Sequence, residues 1–189
     1  MKKTCKFLIY IIITQVLIVC LSGCNLKSND KKKDSYTVNE NGDTVYTKEF
    51  GSYIVGNGWE ESKSHSTKSK FFYVKNGEDN EKKPNNISIN QGTNKYKKEE
   101  HMQFKDAIYA QLAKQTPKKA VINAAGSNTE KGEILYTFVI EDSNSVIKQY
   151  YIVGDNKYVL IHETVFNKDD ESKVDEIALK MVNSFEWND

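Results

Sequence analysis

The side chains in this 189-residue sequence that could do chemistry are few. Its three cysteines, Cys5, Cys20 and Cys24, all fall near the start of the chain. Cys24 follows Leu21-Ser22-Gly23, with two small residues just before it. Cys20 follows bulky Val19 and lacks that setting. His65, His101 and His162 show no HxH or HExxH spacing, so nothing marks a zinc pair. His162 shares a strand face with Tyr158, Leu160 and Thr164 and reads as a hydrogen-bonded, half-buried histidine; His101 reads as solvated. The run "NKDDESKVDE" (167–176) suggests calcium, but an EF-hand needs Gly at its sixth position and Glu at its twelfth, where Ser172 and Ala178 stand. Its acids read instead as the front of a helix, where the macrodipole favours negative charge. Glu60-Glu61 and Glu99-Glu100 are adjacent pairs and cannot share a face. No G-x-S-x-G, P-loop or dinucleotide fingerprint occurs. The expectation is no catalytic residue, no metal site and no cofactor.

The setting of Cys24 has a wider context. Lys2, Lys3 and Lys6 form a positive start, and Phe7 to Leu21 is an apolar stretch of 15 residues interrupted only by Thr14 and Gln15. That is short of the ~20 residues a spanning helix needs. Leu21-Ser22-Gly23-Cys24 closely resembles the bacterial lipobox, in which the cysteine sulfur receives a diacylglycerol and the peptide is cut just before it. The resemblance implies a signal peptide over 1–23, signal-peptidase recognition through Leu21, Ser22 and Gly23, and Cys24 as the lipidated first residue. Acyl chains such as palmitate would hold the protein on the extracytoplasmic face of the cell membrane, since two chains anchor stably where one binds marginally. Cys5 and Cys20 would leave with the signal, so the folded part would hold no disulfide, thiolate site or cysteine nucleophile.

Removing 1–23 leaves 24 Lys against 26 acids, a net charge of −2. No large field of one sign remains, which argues against nucleic acid as a partner. Every basic residue is Lys, which with abundant Asn fits an AT-rich genome such as that of a low-GC Gram-positive bacterium. From Cys24 to Asp43 the chain is polar and aperiodic and is expected to be a flexible tether. Its 19 residues beyond the cysteine would span about 25 Å as a coil. One domain, 44–189, remains, long enough for a sizeable core.

The elements expected within it alternate between two periods. Segment 44–56 reads as two strands meeting near Gly51, followed by an Asn57-Gly58 turn into Trp59; "KFFYVKNG" (70–77) and "NNISIN" (85–90) follow as strands. Phe104, Ile108 and Leu112 then recur every four residues in a helix over 97–117, stopped by Pro117. Four strands follow, over 119–126, 132–142, 146–154 and 157–166, with turns short enough for antiparallel hairpins. They are apolar on both faces, so both sides of this sheet should be covered. Val174, Ile177, Ala178, Met181, Val182 and Phe185 form the stripe of a last helix, 171–185. The consecutive aromatics Phe71-Phe72-Tyr73 and Tyr150-Tyr151 must present rings to both faces, and are expected to pack under the helices, with Trp59 in the core. The order gives an α+β fold, an antiparallel meander flanked by two main helices.

In that order, "YTKEFGSYIVGNGWEE" resembles the opening of PsbP-like domains and "IALKMVNSFEW" their closing helix. The proline usual before the Gly-Trp step is absent; Gly56-Asn57 stands there. The resemblance implies a PsbP-like α/β/α sandwich across the domain. It also implies a role shared by much of that family, binding proteins without catalysis. The expectation is therefore a lipoprotein acting as a protein-binding or assembly module of the cell envelope, its partner another envelope or secreted protein. Two alternatives stand beside it. One is an immunity or inhibitor lipoprotein against a toxin or hydrolase. The other is a small envelope-modifying enzyme, which would carry a pocket of converging polar groups around His162.

Overall fold

Burial alternates along Gly51–Val55 and runs unbroken from Gln149 to Gly154, the two signatures of strands with one face and both faces covered. The structure, a computed structural model, describes residues 34–117, 119–141 and 145–188. Its strands are β1 (Ser35–Val38), β2 (Thr44–Lys48), β3 (Gly51–Val55), β4 (Trp59–Glu61), β5 (Lys70–Lys75), β6 (Asn86–Thr93), β7 (Val121–Asn128), β8 (Ile134–Glu141), β9 (Val146–Gly154), β10 (Lys157–Val165) and β11 (Glu186–Trp187). Its helices are α1 (His101–Gln115) and α2 (Glu171–Ser184), each entered through a short 3-10 turn.

Two antiparallel sheets result. Seven strands follow the order β4-β5-β6-β10-β9-β8-β7, and four follow β1-β2-β3-β11. The meander β7 to β10 and the two helices are the α+β architecture expected. Along β10, Val159, Ile161 and Val165 enter one core while Tyr158 and Leu160 enter another. The first core packs α2 and the small sheet on one face of the large sheet, through Tyr46, Phe50, Tyr53, Met181 and Phe185. The second packs α1 on the opposite face through Phe104, Ile108 and Leu112.

The small sheet was absent from the sequence-level layering and changes where the aromatics go. Phe71 and Tyr73 pack against Tyr46, Phe50 and Tyr53 of that sheet, and the Tyr53 and Tyr73 hydroxyls meet at 2.6 Å in the core. Phe72, turned to the other face, is half-buried beneath Lys70 and His65. Tyr150 and Tyr151 divide between the two cores, as consecutive strand residues must. Trp59 lies on edge strand β4, partly buried against the core rather than inside it.

The tether boundary needs a correction. Ser35–Val38 pairs in register with Thr44–Thr47, and Asn39 closes the turn by accepting the backbone N–H groups of Asn41 and Asp43 at 3.0 Å each. Gly42, at φ 78°, supplies the left-handed residue the turn requires. Asp43 is buried, accepting from the Asn57 N–H at 2.9 Å and from Lys180, and Asp34 reaches Lys48. The folded unit therefore begins near Asp34, ten residues before the expected Thr44; a hairpin with exposed polar residues has the composition of a linker. The signal, Cys24 and the tether to Lys33 lie outside the described residues, as do 118, 142–144 and 189.

Candidate functional site

His65 sits in the loop after β4, and the fold assembles a serine, histidine and aspartate around it. Ser62 Oγ, Ser64 Oγ and Asp79 Oδ1 lie 2.9, 2.8 and 3.4 Å from the same atom, His65 Nδ1. A proton relay needs the nucleophile on Nε2 and the carboxylate on Nδ1. Here the serines also donate directly to Asp79, and these hydrogen bonds, with His65 beside them, hold its carboxyl below the usual range. The cluster clasps loop 62–69 to the loop carrying Asp79.

His101, expected in solvent, is half-buried. Its Nδ1 lies 2.7 Å from the Tyr136 hydroxyl, which donates to Met102 Sδ at 3.1 Å, and its ring stacks on Tyr136. His162 faces α1's side of the sheet, as its alternation with Leu160 predicts. Its Nδ1 accepts from Gln149 Nε2 at 3.3 Å, and Gln149 Oε1 accepts from the Tyr151 hydroxyl at 2.9 Å. Burial, reinforced by the Lys70 cation, pushes the imidazole down to about 3, so it is neutral at physiological pH. The acids of 167–176 open α2: Asn167 caps the entering turn, while Glu171 and Asp175 both bind Lys148.

That lysine leads to a group the sequence reading passed over. Glu163 faces the first core, fully buried, with its Oε2 accepting from the Tyr150 hydroxyl at 3.2 Å. Among the described residues its Oε1 has no hydrogen-bond partner, and it lies 3.9 Å from Lys148 Nζ. Burial, with Asp175 adding to it, pushes this carboxyl up to about 8, against the opposing pull of Lys148 and Tyr150. The signal was present as parity, because Glu163 holds an inward position between Ile161 and Val165.

A concave feature among the described residues lies away from the polar contacts of all three histidine rings, except at Tyr136. It is a groove of about 530 Å³ between α1 and β7. Met102, Lys105, Asp106 and Tyr109 form its helix wall, Ala124, Ala125 and Gly126 its strand wall, and Tyr136 its floor. The cause is local. Phe104, Ile108 and Leu112 seat α1 on the sheet, while the Ala-Ala-Gly step on β7 carries too little side chain to fill the space beside it. At Gly126 even a Cβ would come within 3.0 Å of the Tyr136 ring. Met102 and Tyr109 stand about half exposed, at 52% and 45%.

β7 itself ends the large sheet. Its eight residues, V-I-N-A-A-G-S-N, are mostly exposed and carry no charge. Alternate residues of an antiparallel edge turn their N–H and C=O groups away from the sheet, a template for another strand. The opposite edge, β4, is three residues long and carries Glu60 and Glu61, a guarded edge by comparison. The arrangement thus presents backbone hydrogen-bonding groups beside an apolar groove, chemistry suited to holding a polypeptide.

No protein-family model matches this chain, and no curated protein does. Among solved structures, the chain is similar to the solution structure of cyanobacterial PsbP (CyanoP) from Synechocystis sp. PCC 6803, with 13% identity and a TM-score of 0.47, covering 89% of this chain and 99% of that one. It is also similar to a crystal structure from Bacteroides thetaiotaomicron VPI-5482, with 14% identity and a TM-score of 0.40 over 75% of this chain; it spans 46% of that chain's length.

Proposed function

We propose that this protein is a lipoprotein held on the extracytoplasmic face of the cell membrane through Cys24, and that its domain is a non-catalytic protein-binding or assembly module of the envelope. The anchor rests on the sequence Leu21-Ser22-Gly23-Cys24. The observation that carries the binding role is the uncharged edge strand β7 beside the open groove under Met102 and Tyr109. A strand docking there would complete the backbone ladder and cover the apolar wall in one step.

The test is photo-crosslinking in intact cells, with a photoreactive phenylalanine derivative placed at Tyr109 or, as a control, at Glu60 on the far edge. A protein adduct at Tyr109, absent at Glu60 and lost in Ala125→Pro, is the expected result. Equal labelling from both edges, or an adduct indifferent to Ala125→Pro, would overturn the docking role. Cys24→Ala should move the protein out of the membrane fraction, and retention there would overturn the anchor.

A further inference from the structure

We infer that β7 and the adjoining flank of α1 pair with a second copy of this chain across a two-fold axis. This rests on the reading of that edge as a docking site and names its occupant.

The pattern on α1 is self-complementary. Met102, Lys105, Asp106 and Tyr109 are spaced i, i+3, i+4, i+7, so they form one stripe along the helix. Read about a point between 105 and 106, apolar faces apolar and cation faces anion. An antiparallel copy turned about that point sets Met102 against Tyr109 of the second copy, and Lys105 against Asp106 of the second copy, each twice by symmetry. In the single chain Lys105 and Asp106 lie 2.8 Å from one another, with the Asp106 carboxylate 71% exposed and open to a further cation.

The strand supplies the matching half. β7 follows α1 after the short connection 116–120, and Ala124 to Gly126, its middle, lie against the stripe across the shared groove. A two-fold axis through the middle of β7 therefore also passes near 105 and 106. Antiparallel pairing of a strand with its own copy satisfies both sets of outward backbone groups in register, and nothing in V-I-N-A-A-G-S-N repels a like strand. The Ala-Ala-Gly step leaves room for a second helix to approach over the joined strands. The two seven-stranded sheets would become one continuous sheet, with both grooves closed against each other.

The experiment co-expresses two differently tagged copies of the full chain and measures how much of one is captured with the other after detergent extraction. Wild-type copies should co-capture. Lys105→Asp in both copies, or Asp106→Lys in both, should cut co-capture by about tenfold or more, since each sets like charges face to face twice. One copy carrying Lys105→Asp and the other Asp106→Lys should restore it, which also shows that each variant folds. Co-capture unchanged by the single reversals, or not restored by the mixed pair, overturns the two-fold pairing. Absence of wild-type co-capture overturns it as well. If Ala125→Pro still removes a crosslink from Tyr109 to a different protein, the docking role survives and its occupant is that protein. If Ala125→Pro removes nothing, both fail.

Discussion

Glu163 is an acid whose chemistry departs far from its usual behaviour. Lys148 and Tyr150 face it from β9 and Asp175 from α2, while Glu171 binds Lys148. Its folded pKa, about 8, stands above the ordinary 4.5, so the folded state prefers the protonated acid. The stability this group contributes is full below about pH 4.5 and is lost as pH rises through about 8. Denaturant titrations at pH 5, 7 and 9 should show unfolding free energy falling across that window. The fall would be on the order of 3–5 kcal/mol at most, with the opposing pull of Lys148 already included in that raised value. Glu163→Gln should keep the Tyr150 contact and flatten the profile; an unchanged slope would reject this account. Gly51 gives a second prediction at this scale. A Cβ there would meet the Glu186 carbonyl oxygen and come within 2.7 Å of the Phe185 ring. Gly51→Ala should destabilise the domain by about 1–3 kcal/mol by displacing β11, measurable by thermal unfolding.

At the scale of elements, α1 carries a buried stripe that seats it on the sheet and an exposed one beside β7. Phe104 is buried against Tyr151 and Tyr158, so Phe104→Ala should cost about 3–5 kcal/mol. Tyr109→Ala removes an exposed ring and should change stability by less than about 0.5 kcal/mol while weakening capture at the edge. The two variants separate a helix that merely packs from one that also docks. Much of α1 was legible in advance, because the Phe104-Ile108-Leu112 stripe can serve only a helix with one buried side. The groove was not, because it depends on which strand lies beside the helix. The same Ala-Ala-Gly at the centre of a sheet would be a filled, unremarkable position. Likewise Ser35–Val38 reads as linker until β2 is present to pair with it, and the small sheet's place over Phe71 and Tyr73 appears only when both sheets are seen together.

At the scale of the whole molecule, the boundary of the folded unit yields a test. A chain starting at Asp34 should match the melting temperature of one starting at Cys24. A chain starting at Thr44 loses the β1 hairpin and the Asp34 contact with Lys48 and should melt several degrees lower, about 2–4 °C per kcal/mol for a domain of this size. Equal melting of all three would return the boundary to Thr44. What the sequence by itself determined was local or periodic: the Leu-Ser-Gly-Cys setting of Cys24, the two helices, the antiparallel meander and the burial of both faces along β9 and β10, though not at β7, which an edge position leaves exposed. Each is written in neighbouring residues or in a fixed repeat of 2 or 3.6, so it can be read without knowing what lies across the fold. What only the tertiary structure decided is the edge at β7, the groove beneath Met102 and Tyr109, the histidine partners and the burial of Glu163. These depend on which distant segments meet, and strand order and helix placement are long-range choices that no local pattern encodes.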